Sequence, residues 1–206
     1  MRSGEPRGPL ERSRYALAAM QVSVLDEARS IVTVSGLFSE AECAALVGLA
    51  ERAGFAPAPV TTDAGPVMAS RIRNNTRVML DDAARAADLW ARVAPFAPAR
   101  EGEGAVGVNE RLRFYRYEEA QRFVWHRDGS YQREDGVRSH LTLMVYLNQD
   151  FYGGETVFDL GAAPIVVRPR LGMALMFEHS VKHQGAPVTV GQKYVVRTDV
   201  MYRRAR

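Results

Sequence analysis

The chain is poor in the features that mark several protein classes. Its single cysteine, Cys43, cannot form an internal disulfide, so nothing in the sequence calls for an oxidising compartment. No apolar run approaches the length of a bilayer span. The polar, Pro/Gly/Arg-rich start, Met1 to Arg14, lacks the apolar segment of a secretory signal. These features predict a cytoplasmic protein with no membrane partner. There is no internal repeat and no low-complexity block. Net charge is only +3 over 206 residues, with the excess gathered at the ends (Arg2, Arg7, Arg12, Arg14; Arg203, Arg204, Arg206). A nucleic-acid binder would need a basic stripe with aromatic platforms. The basic ends read instead as solvated tails, and no nucleic-acid partner is expected. Histidine is also scarce, at four residues.

What is present fits one domain with a terminal extension. Hydrophobic residues make up 47% and charged residues 25%, as in ordinary globular proteins. Residues 1 to 28 read as a poorly ordered or loosely docked extension, and 29 to 206 as the domain. A first strand is predicted at Ser30–Val34. Ser39-Glu40-Ala41-Glu42 is a capping-box pattern that should start a helix running to Arg52, with Gly54 as its stop. A second helix is predicted over Asp81–Phe96, its apolar stripe drawn from Ala83, Ala84, Ala87, Leu89, Trp90 and Val93. Arg100–Gly107 reads as a loop. Beyond Asn109 the pattern turns to period two. Strand-like runs fall at 112–117, 122–126, 141–147, 155–158, 165–168, 174–177, 186–190 and 194–202, separated by Gly, Asp and Pro. Many short strands behind two helices predict a mainly β fold, a jelly roll with a helical buttress.

The string Trp125-His126-Arg127-Asp128 carries the chemistry. On a strand, His126 and Asp128 point the same way, and His183 follows 57 residues later. Two histidines and one carboxylate form the facial triad that holds Fe(II) and leaves coordination positions open. A lone His-x-Asp is also common in charged loops, and His179 is a rival for the third ligand. His179 reads more simply as a loop histidine or as support behind the ligands, and His140 as polar lining. Lys193 and Arg197 lie on one strand face, and either could pair with a carboxylate: lysine as a point charge, arginine as a fork. The plainer readings are solvated cations, or pairing with Glu155 or Asp199. Tyr115 and Tyr117 share a face and are either core residues or hydroxyls facing a ligand.

Taken together, the segments resemble the Fe(II)/2-oxoglutarate-dependent dioxygenases of the prolyl 4-hydroxylase type. The resemblance spans roughly Asn109 to Tyr202. Its parts are Tyr117 nine residues before His126, the His126-Arg127-Asp128 start, and Leu141 through Leu147. Gly153-Gly154-Glu155-Thr156-Val157-Phe158, Pro169 through Phe177, His183 through Val188 and Gly191-Gln192-Lys193-Tyr194 complete it, in that order. The resemblance implies a double-stranded β-helix. It implies iron at His126, Asp128 and His183, and 2-oxoglutarate at Lys193 with help from Tyr117 and Thr142. Arg197 and Tyr115 stand as further cofactor-binding candidates, and either Lys193 or Arg197 is the main anchor. The implied reaction consumes O₂, releases succinate and CO₂, and hydroxylates an aliphatic C–H of a peptide or protein side chain, an amino acid or a small molecule. Ascorbate is an admissible additional cofactor. An aspartate in the triad argues against halogenation, which related enzymes perform with a small residue there. Arg77 falls where such enzymes often carry an arginine near the substrate, though it reads more simply as a surface strand residue. Gly153 and Gly154 are expected at positive φ. Arg197-Thr198-Asp199 and the polar stretch 129–138 depart from the pattern and leave the prolyl substrate open. The rival readings are a cupin-like metalloenzyme without 2-oxoglutarate, and a binding module on the same barrel. The chain is expected as a monomer or homodimer.

Overall fold

In the computed structural model, the described residues are 20–62, 65–161 and 163–205. Two β-sheets face each other, and helices cover the outer side of the larger one. The major sheet runs, edge to edge, Gln21–Asp26, Ile31–Ser35, Ala174–Glu178, Arg138–Tyr146, Lys193–Arg204, Arg111–Tyr117, Thr76–Asp81 and Ala56–Pro57. Glu103–Val108 pairs alongside the end of Lys193–Arg204. The minor sheet runs Ile165–Val167, Thr156–Phe158, His183–Gly185 and Phe123–His126. Among the described residues the strands of these sheets pair antiparallel. This is the jelly-roll architecture expected from the period-two pattern.

Side-chain alternation divides the major sheet into two faces. Leu112, Phe114, Leu141, Leu143, Val145, Val196 and Val200 point to the helices and build the larger core. Leu175, Phe177, Tyr146 and Val195 point to the minor sheet and pack with Phe158 and Val167. The same inward face carries the polar residues of the site, so register alone commits them to the space between the sheets.

Helix α1 (Glu40–Ala53) begins as its sequence predicts. Ser39 Oγ accepts from Glu42 N at 3.3 Å, and Glu42 Oε2 accepts from Ser39 N at 2.8 Å. Gly54 closes the helix at φ 85°. Glu42 also pairs with Arg92 of helix α2 (Ala83–Val93) at 2.8 Å, joining the two helices. Ser39→Ala should cost about 1 kcal/mol, measurable by chemical denaturation.

Several expectations shift. Gln21–Asp26, placed by sequence in the terminal extension, forms an edge strand on Ile31–Ser35; residues 1–19 of that extension lie outside the described residues. The second helix is shorter than expected, capped by Asp82 and continued by a 3₁₀ turn at Ala94–Phe96. Its buried stripe is Ala86, Leu89 and Val93, whereas Ala83, Ala84 and Ala87 are exposed. Alanine carries too little apolar weight to fix a helix's phase. Arg100–Gly107 is not all loop, since Glu103–Val108 is a strand. Its partner is the overhanging end of Lys193–Arg204, and that long-range pairing overrides the weak strand preference of Gly104 and Gly107. Thr76–Asp81, Ala56–Pro57 and the ribbon Val60–Thr62/Gly65–Val67 are further strands that period-two counting after Asn109 did not reach.

Candidate metal centre and its cavity

His126 and His183 are direct cross-strand partners in the minor sheet, so neighbouring strands hold their imidazoles together, with ring centroids 4.2 Å apart. Each ring is fixed from behind. Nδ1 of His126 lies 2.8 Å from Val124 O, and Nδ1 of His183 lies 2.9 Å from Val181 O. A backbone carbonyl can only accept, so Nδ1 carries the proton in both rings and Nε2 presents a lone pair. The two Nε2 atoms face Asp128, at 3.7 Å from Oδ1 and 3.6 Å from Oδ2. Asp128 lies just beyond the end of its strand, which stops at His126. Its backbone N–H donates to His179 O at 3.0 Å and turns the carboxylate inward. One donor atom from each of the three residues lies within 4.8 Å of the others.

The protonation states suit a cation. Burial first, and then the neighbouring His183, pull the His126 imidazole down to about 4; burial likewise lowers His183. Both rings are therefore neutral ligands at physiological pH. Burial works against ionisation of Asp128. Arg197 and the two imidazoles outweigh it and hold the carboxyl well below the usual range. Two imidazoles and one carboxylate, with the rest of the coordination sphere open toward a cavity, is a donor set that fits ferrous iron.

The carboxylate has its own supports. Thr142 Oγ1 donates to Asp128 Oδ2 at 2.5 Å and lies 3.0 Å from His179 Nδ1, whose Nε2 lies 2.9 Å from Ser139 Oγ. His179 thus stands behind the ligands, consistent with the simpler of its two sequence readings. Thr142→Val removes the hydroxyl at nearly constant volume. Metal affinity should fall about 10–100-fold, as is usual for partners that orient a ligand, and anaerobic Fe(II) titration measures it.

The remaining candidates separate. Lys193 is buried; its Nζ donates to Gly154 O at 2.5 Å and sits 5.3 Å from the ring centroids of Tyr117 and Tyr146. Burial pulls its ammonium down to about 7, opposed only by the more distant Glu155. Gly153 and Gly154 are at φ 74° and 69°. A Cβ on Gly154 would come within 3.1 Å of Lys193 Cδ, so the glycine leaves room for the lysine stem. Arg197 occupies the metal end instead. Its Nη2 lies 3.2 Å from Asp128 Oδ1 and 3.4 Å from Asp199 Oδ1. Tyr115, Tyr117, Lys193 and Arg197 line one cavity with the triad. Thr142 does not reach Lys193. Thr156 and Tyr146, which sequence reasoning missed, are the hydroxyls in that corner, bonded to each other at 2.7 Å. The inward parity of Thr142, Met144 and Tyr146 along one strand was the available signal. His140 lies elsewhere, 2.7 Å from Glu103 and edge-on to Tyr202.

Comparison with known proteins agrees with this geometry. Residues 112–198, which carry all three candidate ligands, match the model of the 2OG-Fe(II) oxygenase superfamily. The matched segment is similar to that superfamily's oxygenase domain. A probable prolyl 4-hydroxylase of Arabidopsis thaliana is 26% identical over 189 residues, covering 76% of the chain. The chain spans 63% of that relative's length. The crystal structure of a Pseudomonas putida prolyl-4-hydroxylase superimposes with a TM-score of 0.63 at 18% identity, covering 95% of this chain and 99% of that one. A prolyl hydroxylase from Trichoplax adhaerens, solved with a hypoxia-inducible-factor peptide fragment, gives 0.60 at 14% identity, covering 92% and 89%. Both structural likenesses cover more of the chain than the matched segment and show a shared fold.

Proposed function

We infer that the chain is an Fe(II)- and 2-oxoglutarate-dependent dioxygenase that hydroxylates an aliphatic C–H. The overall change is C–H plus 2-oxoglutarate plus O₂ to C–OH plus succinate plus CO₂. One observation carries the reading: a neutral-His, ionised-Asp triad shares its cavity with a buried lysine that has no carboxylate partner among the described residues. A cation left bare inside a fold is costly. A cosubstrate with a carboxylate at each end accounts for both features, one end at the metal and the other at Lys193. A cupin-like enzyme that does not use 2-oxoglutarate leaves Lys193 unexplained.

The chain's own residues then have distinct tasks. His126, Asp128 and His183 would hold Fe(II), and the bound metal with 2-oxoglutarate supplies the oxidising chemistry. Lys193 would bind the distal carboxylate, with Tyr117, Tyr146 and Thr156 around it. Arg197 is occupied by Asp128 and Asp199, so Lys193 is the main anchor and Arg197 steadies the metal ligand. The peptide held by the Trichoplax relative supports a peptide or protein side chain as substrate, with a free amino acid as the alternative on the same chemistry.

The test is anaerobic reconstitution with Fe(II) and 2-oxoglutarate, followed by O₂ and a panel of peptides and amino acids. Succinate should form, together with a product one oxygen atom heavier. A protein that binds neither Fe(II) nor 2-oxoglutarate under those conditions is not this enzyme.

A further inference from the structure

Against two rings that line the cavity, Tyr115 and Phe123, lies more positive charge than the proposed chemistry uses. The segment before Thr76–Asp81 crosses from the minor sheet to the major one. Arg73 forms an antiparallel bridge with Phe123, Val124 N donates to Ile72 O at 2.9 Å, and Ala58 N donates to Asn75 O at 3.0 Å. This crossing carries the Arg73 side chain into the gap between the sheets, where it is 5% exposed. Its guanidinium carbon lies 4.3 Å from the Tyr115 ring centroid and 4.6 Å from that of Phe123. Phe123 is in turn stacked on the His126 imidazole, with centroids 3.5 Å apart. Arg73 is thus one ring removed from a candidate metal ligand.

Four arginines crowd Tyr115. Arg77 is its cross-strand partner on one side, and Arg113, two residues earlier on Tyr115's own strand, pairs with Arg197 of the strand on the other side. Arg113 and Arg197 are balanced by Asp199 and Asp128, at 3.1 and 3.2 Å. Arg73 and Arg77 have no carboxylate partner among the described residues. Arg73 Nε is satisfied by Asn75 Oδ1 at 2.7 Å, but its Nη2 is buried with nothing to donate to, as is Nε of Arg197. The potential they create is visible on Tyr115. Burial alone would raise a phenol, yet Arg73, Arg197 and Arg113 together draw this one below its ordinary value. Arg77 is lowered, first by burial, and also by repulsion from Arg73 and Arg113. A buried guanidinium with an orphaned N–H, beside a second arginine that also lacks a carboxylate, is an arrangement that an anion would satisfy.

Iron and 2-oxoglutarate do not supply that anion. Their charges cancel as Fe(II) and a dicarboxylate, and the distal carboxylate is assigned to Lys193. We propose that Arg73 and Arg77, with Tyr115 between them, form the seat for a carboxylate of the substrate, so that the enzyme oxidises acids. This rests on the oxygenase reading and adds the substrate class. Arg197 acts on Tyr115 and touches Asp128, so the seat lies one guanidinium away from the metal. The oxidised C–H is therefore a few bonds from the acid group. Planar forks suit a carboxylate better than a point charge does.

The test uses L-amino acids, their primary amides, and end-blocked tripeptides with a central Asp or Glu. Binding is followed by isothermal titration of the Mn(II)-loaded protein with saturating 2-oxoglutarate, and turnover by succinate release from the Fe(II) form. At least one acid should bind ten or more times tighter than its amide. Arg73→Gln and Arg77→Gln should each raise that acid's Kd at least tenfold while the Kd of 2-oxoglutarate moves less than twofold. Arg73→Lys should recover part of the loss. A preference for free amino acids places the α-carboxylate in the seat; a preference for the tripeptides places a side-chain carboxylate there. Amides equal to acids, or unchanged acid binding in Arg77→Gln, overturns the proposal; Arg77 is half-exposed on a strand, so that variant carries the test if Arg73→Gln fails to fold. A parallel loss of 2-oxoglutarate affinity in both variants would assign the arginines to the cosubstrate and also overturn it. Failure of the wild type to bind 2-oxoglutarate strikes the oxygenase reading itself, whereas acid-over-amide discrimination by the metal-free protein still reports on the arginine seat.

Discussion

Asp128→Ala is expected to abolish ferrous binding and 2-oxoglutarate turnover together. Asp128 is the only anion among the three candidate ligands, and it is the atom group on which the site converges. Both imidazole Nε2 atoms, the Arg197 guanidinium and the Thr142 hydroxyl all point at it. Without it two neutral imidazoles remain, facing a buried guanidinium that repels a cation. The loss of metal affinity should therefore exceed the roughly 10–100-fold typical of residues that only orient a ligand. Stability should fall as well. Arg197 keeps Asp199 but loses its closest carboxylate oxygen, and breaking a buried pair from one side can cost about 3–5 kcal/mol. Asp128→Asn separates the two effects, since it keeps the shape and removes the charge. Equilibrium dialysis of Fe(II) under nitrogen reads the first effect and denaturant unfolding of the metal-free protein the second. Succinate formation by either variant within tenfold of wild type would mean that the metal sits elsewhere.

The parts of this site legible in the sequence were those fixed by local spacing. The alternation that carries Leu112, Phe114 and Val196 to one face carries Tyr115, Lys193 and Arg197 to the other, and it can be counted without coordinates. The Ser39 capping box is likewise local, as are the positive φ angles of Gly153 and Gly154. Illegible parts depended on which strands become neighbours. Thr142 was expected near Lys193 because the family resemblance implied it; the register pairs it with Asp199, which sets it beside the candidate ligand Asp128. Tyr146 has the same parity and reaches the lysine instead. Glu103–Val108 has a weak strand pattern and exists because Lys193–Arg204 overhangs its other partners. Arg73 sits in no periodic segment. The bridge to Phe123 brings it against the cavity's Tyr115 and Phe123 rings, so its part in the charge balance could not be read from spacing. Lys193 and Arg197 could not be ranked from sequence either, because the ranking depends on where Asp128 and Asp199 lie.

Lys193→Met should weaken 2-oxoglutarate binding and at the same time stabilise the protein. Methionine fills a similar volume without charge. Removing one partner of a buried charge pair costs about 2–5 kcal/mol of binding, a Kd increase from about thirtyfold upward. In the free protein the same ammonium is a burden. Its folded value, about 7, lies below the ordinary 10.5 because of burial, so between those values the unfolded chain binds more protons than the folded one. Stability of the free wild type should therefore rise with pH from 7 toward 10 on account of this residue, and the Met variant should lose that rise. At pH 7 and below the variant should be more stable, by about 1–4 kcal/mol if the corner packs well around methionine. The same titration governs the ligand. Burial pushes Tyr117 up to about 12 and raises Tyr146 well above the usual phenol range, so both stay neutral and Lys193 is the group that changes charge in this corner near neutrality. If the carboxylate needs the ammonium form, affinity should fall about tenfold from pH 6 to pH 8, and binding at pH 8 should take up a proton. Titrations in two buffers of different ionisation enthalpy measure that uptake. A Met variant that binds 2-oxoglutarate as the wild type does, with the same pH dependence, would move the distal carboxylate away from Lys193 and leave Arg197 as its anchor.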